Sequence, residues 1–155
     1  GLSTVSLRYF NVFGPRQDPG SQYAAVIPAF VTAALEGRRP RVFGDGKQSR
    51  DFTYVANVVE ANIRAATAEA PLTGEAVNVA CGARLTLLEV LAEISRITGR
   101  KVDPLLEPPR PGDVRDSLAD ISRARELFGY EPEVGFAEGL ELTVRSYGEE
   151  KESNS

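Results

Sequence analysis

Hydrophobic and polar positions along the chain follow two periods, one typical of strands and one typical of helices. Runs rich in β-branched and aromatic residues predict short strands over residues 4–9, 41–43 and 75–80. Apolar residues spaced three and four apart predict amphipathic helices over residues 23–36 and 87–98. Because strands and helices follow one another in turn, we predict an α/β fold.

Two helices also carry a start signal. In a capping box, a polar side chain binds the backbone amide three residues on, and a glutamate at that position reaches back to the first residue. Asn57 and Glu60 have this spacing, and so do Thr86 and Glu89. We therefore expect one helix to be capped by Asn57 and another by Thr86.

The C-terminal third predicts short elements and a polar end. Prolines and a glycine crowd residues 108–113, which excludes regular structure there. Asp120 is expected to cap a short helix, and a last amphipathic helix is predicted over residues 136–147. We predict one structural unit over residues 1–147 and a disordered tail over residues 148–155, which is charged and polar.

Composition narrows the chemistry that the chain can perform. The 155 residues include one cysteine, Cys81, and no histidine. The lack of histidine excludes a Ser-His-Asp triad and histidine-based zinc sites, and we predict no metal site. We interpret Cys81 as a small core residue, and a single cysteine indicates a cytoplasmic protein without disulfides. No apolar run reaches twenty residues, so no membrane association is predicted.

The net charge of −4 hides a gradient along the chain. Residues 1–50 carry seven Lys and Arg against three Asp and Glu, whereas the remainder carries eleven against nineteen. A nucleic-acid-binding protein would show a broad basic face, so nucleic-acid binding is not expected. The distribution instead favours a compact anion site on an otherwise acidic surface.

The segment 44–54 is the strongest candidate for such a site. It combines two glycines with Lys47, Arg50 and Asp51. Glycine allows the backbone to turn at positive φ, and a planar guanidinium presents paired donors to a phosphate or carboxylate. These features predict an anion-binding loop. The alternative is a solvated β-hairpin in which Arg50 forms a surface ion pair with Asp51.

Two further polar clusters lie in predicted loops, at residues 8–16 and 110–113. Arginines and carboxylates on separate loops can together bind a diphosphate joined to a ribose. Other pairings are open to the same residues. Asn11 can bond its own loop, and Arg110 can pair with Asp113 across a turn.

Three motifs carry a resemblance to a known family. They are the segments 7–16, 43–55 and 110–124, which begin Leu-Arg-Tyr-Phe-Asn, Phe-Gly-Asp-Gly and Arg-Pro-Gly-Asp. In order and spacing they resemble the nucleotide-sugar epimerases and dehydratases of the extended short-chain dehydrogenase family, over about residues 1–147. Residues 17–28, with the third motif, look most like the UDP-N-acetylglucosamine 4-epimerase branch.

This resemblance implies the C-terminal part of the family fold, with the last strands and helices of the Rossmann fold and a small α+β substrate-binding lobe. The part that binds the cofactor would precede residue 1, and we expect a piece of a longer polypeptide because the sequence begins Gly-Leu-Ser. The family's glycine-rich loop and its catalytic Tyr-x-x-x-Lys pair would belong to that preceding part. No catalytic residue is therefore assigned within this chain.

The resemblance also implies a set of substrate contacts. Asn11 would bind the substrate near its diphosphate, and Ala25 and Val26 would touch the nucleotide. Arg41 and Phe43 would flank the uracil, largely through their backbone groups.

Further along the chain, Arg50 and Arg110 would clamp the diphosphate, and Asp113 would accept a hydrogen bond from the ribose. Ser117 matches a position beside the sugar, where a small side chain leaves room for a 2-acetamido group. Phe10 would lie against the nicotinamide of the cofactor.

The function implied is that of the UDP-sugar-binding portion of an NAD-dependent 4-epimerase. NAD would be bound mainly by residues outside the sequence, so the chain would be inactive alone. The parent protein would form a homodimer through the half that the sequence lacks. Two alternatives stay open: part of a nucleotide-sugar 4,6-dehydratase or decarboxylase, and a binding module without catalysis.

Overall fold

The computed structural model describes residues 1–18, 20 and 26–153, with side chains up to residue 149. The described residues form strands β1 (Thr4–Tyr9), β2 (Val12–Phe13), β3 (Arg41–Phe43), β4 (Ser49–Arg50), β5 (Thr53–Tyr54), β6 (Thr73–Val79), β7 (Leu85–Thr86) and β8 (Leu105–Glu107). The helices are α1 (Val26–Leu35), α2 (Val55–Ala66), α3 (Leu87–Thr98), α4 (Ser122–Phe128) and α5 (Phe136–Ser153). The predicted α/β class is confirmed.

The strands pair mostly in parallel. β1 lies parallel to β6, with Thr4 opposite Thr73 and Tyr9 opposite Val79, and α2 lies in the connection between them. β2 pairs with β5 and β3 with β8, also in parallel, whereas β4 and β7 are antiparallel. A parallel pair needs a long connection, and here each connection carries at least one helix.

The buried side chains divide into two clusters. In the first, helices α1, α3 and α5 pack together, and Phe13, Phe52 and Tyr54 fill the space beneath them. We call these three helices, with β3, β4, β5, β7 and β8, the lobe. Its rings meet edge to face or tilted, with the centroids of Phe13 and Tyr54 5.7 Å apart. Such ring pairs add stability beyond the area that they bury.

The second cluster lies between β1, β6, α2 and α4, which we call the sheet region. Val58 and Ala61 of α2 pack on Val77 and Val79 of β6. Tyr130 is fully buried beside them, and its hydroxyl donates to the carbonyl of Ala80 at 2.9 Å. Burial raises the pKa of this hydroxyl well above its ordinary value, so Tyr130 is a neutral structural donor.

The two predicted capping boxes have different outcomes. The Thr86 hydroxyl accepts from the amide of Glu89, whose carboxylate accepts from the amide of Thr86, so this prediction is confirmed. The prediction for Asn57 is wrong, because α2 begins at Val55 and no side chain caps it. Asn57 lies within the helix and is buried, and its amide bonds the backbone of Val134 at 2.8 and 2.9 Å.

The C-terminal elements also differ in detail from their predicted bounds. Asp120 accepts from the amide of Ser122 at 2.9 Å, so it binds the first turn of α4 without being its N-cap residue. Helix α5 continues to Ser153, into the segment predicted to be a disordered tail. The predicted start of α1 at residue 23 lies outside the described residues. Among the helices that the structure describes, none is long and apolar enough to cross a membrane.

Candidate functional site

A cavity of about 440 Å³ opens in the lobe, and we call it the main cavity. Its apolar floor includes Ile27, Phe30, Phe52 and Leu87. Seven of the nine residues predicted to bind substrate line it, namely Asn11, Val26, Arg41, Phe43, Arg50, Arg110 and Asp113. Of the other two, Ala25 lies outside the described residues and Ser117 is not among the lining residues. The chain therefore brings its three predicted loop clusters to one place.

The segment between β3 and β4 is a tight loop built on two glycines with positive φ. Gly44 has φ of 84° and Gly46 has φ of 73°. The Gly44 amide donates to Glu107 at 2.8 Å, and a Cβ on Gly46 would lie 2.8 Å from the Leu88 side chain. The hairpin alternative is wrong, because β3 pairs with β8 and β4 pairs with β7.

Arg50 is held at the rim of the main cavity with only 16% of its side chain exposed. One terminal nitrogen donates to the carbonyl of Ser49 at 2.8 Å and lies 3.4 Å from that of Arg115. The other donates to the Asp113 carboxylate at 2.5 Å. The guanidinium is thus fixed by backbone groups on one side and by a carboxylate on the other.

Asp51 does not pair with Arg50, so the alternative of a surface ion pair between these two residues is wrong. Asp51 directly follows β4, and its side chain is fully buried. Its carboxylate accepts from the amides of Cys81 and Gly82, each at 3.0 Å, and from that of Ala119 at 3.3 Å. Burial raises the pKa of Asp51, and the three N–H groups oppose that rise. Asp51 positions the backbone around Arg50, a role that the sequence analysis missed.

Aromatic and cationic groups also line the main cavity. The Arg41 guanidinium makes two bonds to the Glu107 carboxylate, at 2.6 and 2.8 Å, which hold the pKa of Glu107 below its usual range. The Arg110 guanidinium carbon lies 3.7 Å from the centroid of the Phe43 ring, and that of Arg41 lies 5.7 Å away. Phe43 therefore carries a cation over its face.

Arg110 and Asp113 belong to one short turn. The Asp113 amide donates to the Arg110 carbonyl at 3.2 Å, and Gly112 has φ of 80°. Their side chains do not pair with each other, because Arg110 covers Phe43 and Asp113 bonds Arg50. The pairing of Arg110 with Asp113 across the turn is thus limited to the backbone.

Asn11 lies between the main cavity and the sheet region. Its φ of 35° is unusual for a residue other than glycine. Its side-chain amide nitrogen donates to the backbone carbonyl of Asp51 at 3.0 Å. The Asn11 carbonyl accepts from the amide of Thr53 at 3.2 Å. Asn11 therefore bonds the segment before β5 rather than its own loop.

The two residues assigned to the sugar and the cofactor lie apart from the main cavity. Ser117 is half-buried, and its amide donates to the Ser49 carbonyl at 3.0 Å. Phe10 follows β1, and its amide donates to Val79 at 3.1 Å where β1 and β6 end. Ligands of parallel α/β sheets bind at these carboxyl ends. The described residues contain no glycine-rich turn between a strand and a helix that could hold the pyrophosphate of a dinucleotide, so the contact of Phe10 with a nicotinamide stays a prediction.

Sequence reasoning also missed Gln48, which lines the main cavity from inside the glycine loop. Its side chain is buried, and its amide nitrogen donates to the Phe43 carbonyl at 2.6 Å. The backbone carbonyl of Gln48 accepts from the backbone amide of Leu87 at the start of α3. Gln48 thus fixes Phe43 relative to α3. No local pattern predicts a contact of this kind.

The arrangement is suited to binding rather than to proton transfer. Arg41, Arg50 and Arg110 bring three permanent cations to a cavity with an apolar floor. Asp113 is the single carboxylate among the described lining residues, and it is bonded to Arg50. A ligand with a planar ring and an attached anion would match these groups. General base catalysis near neutral pH would require a side chain of a different kind.

One sequence pattern could be mistaken for a catalytic pair. Tyr147 and Lys151 have the spacing Tyr-x-x-x-Lys. Tyr147 packs in the core of the lobe and is 9% exposed, and its hydroxyl donates to the carbonyl of Gln17. This tyrosine is therefore part of the lobe's packing.

Comparison with known proteins gives a consistent result. The profile of the NAD dependent epimerase/dehydratase family matches residues 1–80. The chain is 40% identical, over 88% of its length, to a UDP-glucose 4-epimerase of Mycolicibacterium smegmatis, and covers 43% of that protein. It is 35% identical, over 96% of its length, to a UDP-N-acetyl-alpha-D-glucosaminuronate decarboxylase of Bacillus cytotoxicus, of which it covers 47%.

A solved structure extends the likeness to three dimensions. The UDP-N-acetylglucosamine 4-epimerase of Methanobrevibacter ruminantium, in complex with UDP-N-acetylmuramic acid, matches with a TM-score of 0.87 and 44% identity. The match covers 94% of the present chain and 46% of that one. The chain therefore spans less than half the length of the relatives that it matches.

Proposed function

Because the chain belongs to the NAD-dependent epimerase/dehydratase family, we propose that it forms the nucleotide-sugar-binding part of an NAD-dependent 4-epimerase. The substrate is a UDP-hexose or a UDP-N-acetylhexosamine. The observation that carries this proposal is the convergence of Arg41, Arg50 and Arg110 with Phe43 on one cavity. The resemblance seen in the sequence is confirmed at the level of the family.

The proposed binding mode assigns one part of the ligand to each wall. The uracil lies against Phe43, beside the backbone of β3. The diphosphate is bound by Arg50 and Arg110, whose donors form charge-assisted hydrogen bonds, each contributing about 1.5 to 3 kcal/mol. Asp113 accepts from a ribose hydroxyl, and Ser117 leaves room for a 2-acetamido group.

The chemistry is proposed to depend on residues outside the sequence. NAD supplies the redox capacity of the reaction when it is bound, and the protein binds and orients. In this chain Phe10 is the proposed contact with the nicotinamide. With no proton-transfer group assigned to the main cavity, the chain alone is expected to bind a nucleotide sugar without converting it.

The sheet region supports the proposal of a further half. Parallel sheets are normally covered on both faces, yet no residue of β1 is buried. One edge of β1 pairs with β6, and no described strand pairs with the other edge. A groove of about 460 Å³ lies beside it, lined by alternate β1 residues Val5, Leu7 and Tyr9 and by alanines of α2. A neighbouring strand and helix of the cofactor-binding half would fit there.

We also propose a cytoplasmic location and a homodimeric parent protein. The location rests on the near absence of cysteine, and the dimer on the family resemblance. Size-exclusion chromatography with light scattering on the parent tests the dimer. A monomer at micromolar concentration would contradict it.

Calorimetric titration of Arg50→Ala with UDP tests the binding mode. The loss of charge-assisted bonds is expected to weaken UDP binding by about 10- to 100-fold. Arg115→Ala is the matched control, because the Arg115 side chain pairs with Asp45 and does not line the main cavity. Equal UDP affinity in the wild type and in Arg50→Ala would contradict the assignment of Arg50.

A second reaction is favoured by the decarboxylase relative, which is 35% identical over nearly the whole chain. NMR analysis of products from the parent protein distinguishes the two functions. Interconversion of the 4-epimers of UDP-N-acetylglucosamine supports the proposed function. Release of carbon dioxide from a UDP-uronic acid, or loss of water from the sugar, would support a decarboxylase or a dehydratase instead.

A further inference from the structure

We propose that the turn Arg110–Asp113, which we call the 110–113 turn, is an exchange element that selects ligands carrying both a base and a diphosphate. Arg110 covers Phe43, which the base requires, and Asp113 is bonded to Arg50, which the diphosphate requires. The inference rests on the proposed function, because it concerns the same cavity. It adds a selection step that depends on Asp113 and Arg110 together.

The first half of the exchange takes place at Arg50. One of its terminal nitrogens is engaged by backbone carbonyls, and the other is bonded to Asp113 at 2.5 Å. Because Asp113 carries a negative charge, a phosphate that approaches the same nitrogen meets repulsion until the carboxylate leaves. The Asp113 side chain is 38% exposed, so it has solvent-accessible space into which it can move. A phosphate therefore replaces Asp113 rather than joining it.

The second half takes place at Phe43. The Arg110 guanidinium carbon is 3.7 Å from the ring centroid, closer than the roughly 4.5–7 Å between the centroids of stacked rings, so it occupies the space that a stacked nucleobase would use. Among the described residues, the Arg110 guanidinium lies over the Phe43 ring and also acts electrostatically on the Glu107 carboxylate, which is itself bonded to Arg41. A base can use this face of Phe43 only after Arg110 has moved.

The position of Arg110 also divides the available space. A second cavity of about 350 Å³ adjoins the main cavity, and the two share Val26, Phe30, Arg41, Phe43 and Arg110 as lining residues. Arg110 therefore lies where the two spaces meet, and its movement away from Phe43 would enlarge the space beside the ring.

The two halves are coupled because both side chains belong to one turn. A hydrogen bond of 3.2 Å joins the backbone of Arg110 and Asp113, and prolines at positions 109 and 111 stiffen the segment. When a nucleoside diphosphate binds, the base replaces Arg110 on Phe43 and a phosphate replaces Asp113 on Arg50. The released Arg110 then meets the diphosphate, and the released Asp113 meets a hydroxyl. Pyrophosphate alone, or uridine alone, displaces Arg110 from Phe43 and Asp113 from Arg50 but replaces only one of these two contacts.

Calorimetric titration with inorganic pyrophosphate tests the exchange at Arg50. In the wild type, pyrophosphate is expected to bind weakly because it must displace Asp113. Asp113→Asn keeps the size of the side chain and removes its charge, so pyrophosphate should bind about 10-fold more tightly. UDP should gain less than pyrophosphate does, because the ribose loses a charged acceptor.

Asp45→Asn is the matched control for the change in net charge. Asp45 lies on the neighbouring glycine loop and pairs with Arg115 instead of Arg50. If the gain comes from release of Arg50, Asp45→Asn should change pyrophosphate affinity by less than about twofold at 0.15 M salt. Equal gains in the two variants, or no gain in Asp113→Asn, would overturn the exchange.

Arg110→Ala tests the exchange at Phe43 with two ligands that should respond in opposite directions. Uridine should bind a few-fold more tightly because the ring is uncovered, whereas UDP should bind more weakly because a cation is lost. Weaker binding of both ligands would overturn the displacement of Arg110. These results are separable from the proposed function, which fails if Arg50→Ala leaves UDP affinity unchanged.

Discussion

The lobe and the sheet region bury their apolar residues to different extents. Within the lobe, α1, α3 and α5 enclose an aromatic centre, and the main cavity opens beside it. In the sheet region, α2 buries Val58 and exposes Val59 and Ile63 by about half. One edge of β1 is also left without a described partner. The lobe surrounds a closed aromatic centre and leaves Leu105, Leu106 and Leu142 exposed at its surface, whereas in the sheet region no residue of β1 is buried.

This difference separates two tasks. The residues proposed to bind the nucleotide lie on the lobe and the loops that it fixes, so they are positioned by contacts within the chain. Phe10, the proposed cofactor contact, lies at the end of the incompletely covered sheet. Substitutions that distinguish the two regions can therefore test whether the lobe keeps its geometry independently.

The largest effect is expected at Asp51, which joins the two regions. Its carboxylate accepts from Cys81 and Gly82 after β6 and from Ala119. In Asp51→Asn, either orientation of the amide turns an NH₂ group toward backbone donors. We expect the free energy of unfolding to fall by about 3 kcal/mol, measured by urea denaturation. The exposed pair of Asp45 and Arg115 supplies the control, since Asp45→Asn should change the free energy of unfolding by less than about 1 kcal/mol.

A smaller effect, confined to the lobe, is expected at Gly139 of α5. A Cβ at this position would lie 2.7 Å from the Tyr54 ring, which is itself in the core. Gly139→Ala should therefore destabilise the fold by about 1 to 3 kcal/mol through overpacking. Gly148 is the matched control, because a Cβ there meets nothing within 4 Å. Gly148→Ala should be neutral or stabilising, and an equal loss in both variants would contradict close packing at Gly139.

The capping box of α3 gives a pH-dependent effect of about 1 kcal/mol. Thr86→Ala removes the side-chain cap and should cost about that amount at neutral pH. Hydrogen bonds from Thr86 hold the pKa of Glu89 below its ordinary value, so the contribution of Glu89 is present above the ordinary carboxyl pKa. It is lost as pH falls through the lowered pKa. Urea denaturation at several pH values should show the difference between wild type and variant shrinking in acid.

The smallest effect is expected on the exposed face of α2. Val59 is 53% exposed, so Val59→Ala should change the free energy of unfolding of this chain by less than about 0.5 kcal/mol. Its neighbour Val58 is 8% exposed, and Val58→Ala should cost about 1 to 3 kcal/mol. In the proposed longer parent protein, Val59→Ala should become destabilising as well. Equal destabilisation of this chain by Val59→Ala and Val58→Ala would contradict the exposure of Val59.

The sequence predicted features that depend on neighbouring residues. The capping box of Thr86 involves positions three apart, and the strands at β1 and β3 follow from local composition. Asn57 has the same spacing, but tertiary contacts with Val134 override it. Local spacing alone could not separate these two outcomes.

The site shows the same limit at longer range. The convergence of Arg50 with Asp113 joins residues 63 positions apart, and only the family resemblance placed them together. The burial of Asp51 had no local signal, because its carboxylate bonds amides at residues 81, 82 and 119, which are distant in sequence. The stacking of Arg110 on Phe43 had no signal in the sequence, because it depends on the path of the 110–113 turn.

The parallel pairing of β1 with β6 also has a consequence for the order of folding. Thr4 lies opposite Thr73, so this contact closes a loop of nearly seventy residues. Long-range parallel pairing is slow because the entropy of loop closure is lost before the contacts form. During synthesis, β1 would leave the ribosome well before β6, and would wait for its partner until residues 73–79 had emerged. The parallel pair of β3 and β8 closes a loop of similar length, with Arg41 opposite Leu105. Helices with local contacts, such as α3 with its cap, are therefore expected to gain structure before either pair forms.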